Sequence, residues 1–289
     1  MLKITRQTVE PLEIIVVDSA SGDNTVAEAE RLGATVISID RALFDHGGTR
    51  NFAARHAKGG VLVFLTQDAL PEKDTFIEEL ISPFSDPKVA AACGRQVARS
   101  EATPIERMTR EFNYPIEPRV RSIEDVHQYG IKTFFFTDVC SAIRKDVFDS
   151  IGGFPEPIIL NEDMLYAAKC LLQGYSIAYA PKATVLHSHH YTLRQEFKRN
   201  FDIGVSLRMN DWLLQYATPE GEGLRLVKAQ FRYLCKPKLW VWIPRWVAET
   251  VAKYAGYRLG LSYKKLPAKV VKKCSMHRSF WQKNQSILQ

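Results

Sequence analysis

Apolar residues gather in short continuous blocks along the first ninety positions, and polar segments with helical spacing separate them. Leu12–Ser19 (LEIIVVDS) is an apolar run that ends in Asp18. Such a run reads as a strand buried on both faces. GDNTVAEAERLG follows as a helix, with Asp23 or Asn24 near its cap and Gly33 as its stop. ATVISID is a second strand, and HGGTRNFAARHAKGG is a helix bounded by glycine pairs. VLVFLTQD is a third strand, and EKDTFIEELISPF a further helix. This β-α-β-α-β-α order predicts an α/β chain with a Rossmann-like, mostly parallel sheet. Ligands of such sheets bind beyond the carboxyl ends of the strands, where Asp18 and Asp68 sit.

The rhythm loosens after residue 90. VAAACGRQVA and KTFFFTD read as strands, and the polar, proline-bearing stretch between them as irregular or partly helical. RKDVFDSIGGF is a short helix stopped by glycines, and NEDMLYAAKCLLQGY an amphipathic helix. SIAYAPKATVLHSHHY predicts two short strands around Pro181, and TLRQEFKRNFDIGVSLRMNDWLLQY a long helix.

Charge changes this picture at the C-terminal end. Residues 219–289 hold 15 Lys/Arg against 3 Asp/Glu, while residues 1–218 hold 24 against 29. An acidic-leaning body, 1–218, therefore precedes a basic tail, 219–289. Trp240, Trp242 and Trp246 lie among basic residues in that tail. Leu239–Ala255 is broken by Pro244, Arg245, Glu249 and Lys253 and is too interrupted to span a bilayer. A basic amphipathic helical extension that lies on an anionic membrane surface fits this pattern better than a nucleic-acid-binding arm. The five cysteines are scattered without a CxxC pair, which argues against a zinc ribbon or disulfide framework and fits a reducing compartment.

Three local constellations carry chemistry. A strand-end aspartate such as Asp18 or Asp68 is equally a turn residue or a ligand, but two of them after neighbouring strands fit a nucleotide–metal site. Glu162-Asp163 at a helix start either offsets the helix dipole or supplies a general base. His187 and His189 in VLHSHHY alternate, so in an extended segment both turn to one face, where one can complete a site built by Asp68.

In chain order, EIIVVDSASGDNT, DHGGTRNFAARHAKGG, VLVFLTQDALP, SIGGFPE and NEDMLYAAKCLLQGYSIAYAPKATVLHSHH resemble an inverting family-2 glycosyltransferase of GT-A fold. The variants DHGGTRN and FLTQDA are most similar to the bacterial rhamnosyltransferase branch, which builds O-antigen and other surface polysaccharides. The resemblance covers roughly residues 5–205. It implies an enzyme that moves a sugar, L-rhamnose from dTDP-rhamnose in that branch, onto a lipid-linked or growing glycan. Transfer from a UDP-hexose or UDP-N-acetylhexosamine, or a catalytically inactive nucleotide-sugar-binding homologue, are the alternatives. It further implies a cytoplasmic protein, peripheral on the inner face of the plasma membrane.

Residue by residue, the resemblance gives Asp18 and Arg50 to nucleotide binding and Asp68 to a divalent metal, magnesium or manganese, on the donor diphosphate. It gives Asp163 to the general base, with Glu162 in support, and His187 to the metal, with His189 as a substitute. Two departures follow. Thr66 stands where the DxD motif has its first acid, so Thr66 is expected at the nucleotide rather than at the metal. The family's opening apolar strand has no counterpart after Met1, which the resemblance attributes to a truncation or a misplaced start.

Overall fold

The computed structural model describes residues 1–288. β1 (Ile15–Asp18) and β2 (Thr35–Ser38) pair in parallel, with α1 (Thr25–Arg31) as their crossover. α2 (His46–His56) leads into β3 (Val61–Leu65), which is followed by β4 (Leu70–Pro71), α3 (Phe76–Ile81), β5 (Val89–Val97) and α4 (Pro104–Asn113). Next come β6 (Arg119–Arg121), α5 (Val126–Tyr129), β7 (Cys140–Arg144), α6 (Lys145–Ile151), α7 (Glu162–Leu172) and β8 (Ser176–Leu186). Five helices close the chain: α8 (Leu193–Met209), α9 (Glu220–Leu234), α10 (Ile243–Leu261), α11 (Ala268–Cys274) and α12 (Arg278–Lys283).

The larger sheet has the order β3-β7-β5-β8-β4, with β6 also paired to β8. β5 and β8 are parallel, and β7 runs against both β3 and β5. β3, β5 and β8 therefore share one direction, as the α/β pattern predicts, and β7 is an antiparallel insertion between them. β1 and β2 form a separate two-stranded sheet. Among the described residues, β1 and β3 each keep one edge without a strand partner, and Val61 and Val63 on β3 are exposed. β3 thus alternates in burial, where its sequence reads as covered on both faces.

Two local expectations are corrected. KTFFFTD is not a strand. Gly130–Phe134 forms a 3-10 turn that carries Phe134 into the core, and the strand begins only at Cys140. The aromatic run is a core plug whose apolar composition mimics a buried strand. SIAYAPKATVL is one strand rather than two. A register shift opposite Gly94/Arg95 absorbs Pro181, so β8 continues past it.

Alternate strand residues feed two cores. Ile143 and Ile177 face Phe148, Phe154, Leu165 and Tyr166 of α6, α7 and the loop between them. Ala142 and Val185 face Phe76 and Leu80 of α3. A third core joins Phe201 and Val205 of α8 to Ile159, Val271, Phe280 and Trp281. α10 lies against α8 at Gly256 and Gly260, where a Cβ would strike the carbonyls of Phe197 and Phe201. The chain beyond residue 218 is therefore seated on the body through buried contacts. Among the described residues, no helix is long and apolar enough to cross a membrane.

Candidate active site

The loop before α7 and the loop before β7 bring three carboxylates around one guanidinium. Asn161, at the N-cap of α7, is left-handed with φ 66°, a conformation that costs most residues roughly 1–2 kcal/mol and that Asn tolerates. The chain turns sharply there and sends Glu162 and Asp163 inward. Arg50 on α2 donates from Nη1 to Glu162 Oε1 at 2.8 Å, and its Nε lies 3.6 Å from Asp138 Oδ2. Asp163 Oδ2 accepts from the Asp138 amide at 3.3 Å, and Asp163 Oδ1 from the Met164 amide at 2.7 Å. Asp138 Oδ1 accepts from the Ser141 hydroxyl at 2.7 Å.

The DHGGTRN helix explains how this segment is held. Asn51 donates from Nδ2 to the Phe154 carbonyl at 2.9 Å and accepts from the Phe154 amide at 2.8 Å. Asp45 caps α2 through the Gly48 amide and also accepts from the Ile158 amide at 3.2 Å. α2 and its cap thus anchor the 154–162 loop at three points: Asn51 at its start, Asp45 at its middle and Arg50 at its end.

Electrostatics inside this cluster are unusual. Burial raises the Asp138 and Asp163 carboxyls above the usual carboxylate range, Arg50 opposes the rise at both, and Glu162 adds to it at Asp163. Burial also raises Glu162, again against Arg50. Burial alone would depress Arg50, but Asp138, Glu162 and Asp163 more than offset it and leave the guanidinium firmly charged. A carboxylate with a raised affinity for protons, beside a fixed cation, suits a general base.

The second cluster is Asp68 after β3 with His187 and His189 after β8. His187 Nε2 lies 3.2 Å and His189 Nδ1 3.7 Å from Asp68 Oδ2. The tautomer of His187 follows from its other side, where Nδ1 sits 2.9 Å from Gln96 Oε1. Gln96 Nε2 donates to Thr137 Oγ1 at 3.1 Å and Arg110 donates to Gln96 Oε1, so that oxygen can only accept. His187 Nδ1 must carry the proton, which leaves the Nε2 lone pair facing the Asp68 carboxylate. Burial, then Arg110, holds the His187 imidazole below its usual range, which favours the neutral ring.

Two lone-pair donors 3.2 Å apart repel unless a cation sits between them. Cis ligands of an ion bound at about 2.1 Å lie roughly 3 Å apart, so the spacing fits a small divalent ion. One carboxylate oxygen and two imidazole nitrogens, all within 4.8 Å of one another, are donors that suit manganese and tolerate magnesium less well. Burial acts to raise Asp68, but His187, the Thr66 hydroxyl and His189 together hold it below its usual value. Thr66 Oγ1 is buried close to this carboxylate.

Asp18 ends β1, buried, and accepts from the Ser21 amide at 3.0 Å. The Ser21 hydroxyl and amide hold its carboxyl below the usual range. Ser19, next to it, lines a cavity of about 640 Å³ with Asp40, Arg41, Phe44 and Ser279 at the carboxyl ends of β1 and β2. No hydrogen bond links Asp18 to the Arg50 cluster among the described residues. The structure thus joins Asp163, Glu162 and Arg50 in one group and Asp68, His187 and His189, with Thr66 beside them, in another. Asp138, Gln96 and Arg110 were not singled out from sequence. Asp138 carries a usable signal, an acid closing an apolar run as in LEIIVVD and VLVFLTQD; Gln96 and Arg110 carry none.

The fold is of the GT-A type, with the two clusters set at strand and helix ends. Residues 1–152 match the family described as "Glycosyl transferase family 2", and the chain belongs to that family. It is 43% identical over 278 residues to the O-antigen chain rhamnosyltransferase WbaN of Salmonella anatum, covering 96% of this chain and 88% of that one. It is 42% identical over 281 residues to the O-antigen chain rhamnosyltransferase RfbN of Salmonella typhimurium, covering 96% and 89%. Among solved structures, the mannosyltransferase PcManGT of Pyrobaculum calidifontis, in complex with GDP-Man and Mn2+, superposes with a TM-score of 0.54 at 18% identity, over 99% of this chain and 79% of that one. TarS residues 1–349 of S. aureus, in complex with UDP-GlcNAc, superposes at 0.51 and 16% identity, over 91% and 86%. These two likenesses are of fold.

Proposed function

We propose that this chain is an inverting rhamnosyltransferase that moves L-rhamnose from dTDP-rhamnose onto a lipid-linked or growing cell-surface polysaccharide. The observation that carries the reading is the identity of 43% and 42%, sustained over 96% of the chain, to two O-antigen chain rhamnosyltransferases. The reaction is a single displacement at the anomeric carbon. Asp163 takes the proton of the acceptor hydroxyl as that oxygen attacks; the Asp138 and Met164 amides orient its carboxylate, and the charge of Glu162 raises its affinity for the proton. Asp68, His187 and His189 would hold magnesium or manganese, which would supply charge neutralisation for the departing nucleoside diphosphate. Asp18 and Thr66 bind the nucleotide, and Arg50 reaches it only by leaving its carboxylate partners.

The basic C-terminal helices support attachment to the cytoplasmic face of the membrane. Leu224, Phe231, Trp240, Val247, Val251 and Tyr254 are all exposed on α9, α10 and the turn between them. Lys228, Arg232, Lys236 and Lys238 lie among them in sequence, the composition of a surface that inserts apolar side chains and pairs cations with anionic headgroups. The protein is expected to float with anionic vesicles at low salt and to release at high salt. Failure to float at low salt removes the membrane reading. For the reaction, a screen of nucleotide sugars with an acceptor, reading release of the nucleoside diphosphate, tests the donor: dTDP-rhamnose is expected to be consumed fastest.

A further inference from the structure

A second cavity, of about 210 Å³, lies between the carboxyl end of α4, β6 and α9. It shares no residue with the Asp163 or Asp68 clusters, and its lining is rich in cations: Arg119, Arg121, Lys132 and Arg225, against the carboxylates Glu117 and Glu222. Glu222 is committed twice, to Lys132 at 3.0 Å and to Arg225 at 3.0 Å. Arg119 has no carboxylate partner among the described residues and lies over the Tyr129 ring at 4.3 Å. Arg121 is the anomaly. It is 4% exposed, donates from Nη1 to the Lys132 carbonyl, and leaves both Nε and Nη2 without a partner. A buried guanidinium with two unmet N–H groups and no carboxylate is costly; its Nε and Nη2 are sealed behind the cavity wall, so its charge favours an anion in the cavity through space.

The position of the cavity says what carries the anion. α4 runs between the two sites: Glu106 Oε1 accepts from the His189 amide at 2.9 Å, Arg110 holds Gln96, and Phe112 and Asn113 line the cavity. From Glu106 to Asn113 is roughly 10 Å along a helix axis. The opposite wall is α9, the first helix of the exposed apolar and basic surface. An anion bound here therefore sits within one short helix of the reaction centre and beside the membrane-facing side. We propose that this cavity binds the phosphate groups of the lipid-linked glycan acceptor and so fixes how the glycan enters the site. The assignment of the acceptor rests on the transfer reaction proposed above; the anion site does not.

The test uses the full chain and the variant Arg119→Ala/Arg225→Ala, two exposed positions whose loss leaves the cores intact. Matching melting curves check the fold. Inorganic pyrophosphate is titrated calorimetrically with EDTA present, so that no metal contributes. Binding by the unmodified protein and at least tenfold weaker binding by the variant are expected. Equal binding, or none by the unmodified protein, overturns the site. With a lipid-diphosphate-linked acceptor, the variant's acceptor KM is expected to rise about tenfold and to exceed any change in the donor KM. Weakened pyrophosphate binding with an unmoved acceptor KM overturns the acceptor as the source of the anion. If the unmodified protein transfers no sugar to any acceptor, the transfer reading fails, and the pyrophosphate titration still decides the site.

Discussion

Gln96→Leu tests the argument that a neutral side chain fixes the metal cluster. Gln96 makes three contacts: it receives His187 Nδ1–H at 2.9 Å, receives Arg110, and donates to Thr137 at 3.1 Å. Leucine has nearly the same bulk but no acceptor, so the imidazole loses the bond that keeps Nε2 unprotonated and aimed at Asp68. Loss of such an outer partner costs ten- to a hundredfold in metal affinity, about 1.4–2.8 kcal/mol. Stability falls as well, because Arg110 and Thr137 lose a buried partner, at about 1–3 kcal/mol each where water cannot replace it. The assay is manganese binding, read by electron paramagnetic resonance of the free ion, with folding checked by thermal melting. Gln96→Glu keeps the acceptor and gives Arg110 a charged partner, so it is expected to bind manganese close to wild type. Wild-type manganese affinity in Gln96→Leu would refute the reasoning, because His187 would then need no anchor.

Asp163→Asn removes the base and leaves the polar shape, so transfer should vanish while nucleotide-sugar binding, read by calorimetry, stays near wild type. Lost donor binding contradicts the assigned role. Arg50→Met strands Glu162, Asp138 and Asp163 without their cation, and breaking such a buried pair costs roughly 3–5 kcal/mol, read as a large drop in melting temperature. A variant as stable as wild type shows that the cluster does not need the guanidinium. The third concerns pH. A base must be deprotonated, and burial followed by the charge of Glu162 raises Asp163, so kcat/KM should fall on acidification well above the usual carboxylate range. Glu162→Gln removes one of the charges that raises Asp163, so this acid limb should move to lower pH; a shift to higher pH contradicts the electrostatic picture.

Legibility in the sequence tracked how local the physics is. The β-α-β-α-β-α opening was readable because each strand is a compact apolar run and each helix has its own start and stop. Asp18, Asp68 and Glu162-Asp163 stood out because a charge at the end of an apolar run is conspicuous. The pairing of Arg50 with Glu162 spans 112 positions, and nothing local to either residue records it. Gln96 is a neutral residue in an apolar strand, and its role exists only because β8 runs beside β5 and delivers His187 to it. KTFFFTD misled because a buried turn and a buried strand need the same apolar composition. The seating of the tail was not legible either: Val271 and Trp281 pack with Phe201 and Val205 of α8, and no local spacing records that contact.

The central claim is a metal-supported transfer of rhamnose with Asp163 as base. It is tested most directly by incubating the protein with dTDP-rhamnose, manganese and a lipid-linked glycan acceptor, and following the product and its anomeric configuration. The account predicts one rhamnose added with inverted configuration, loss of product on chelation of the metal, and none from Asp163→Asn. Full product formation by Asp163→Asn, or retention of configuration, would contradict it.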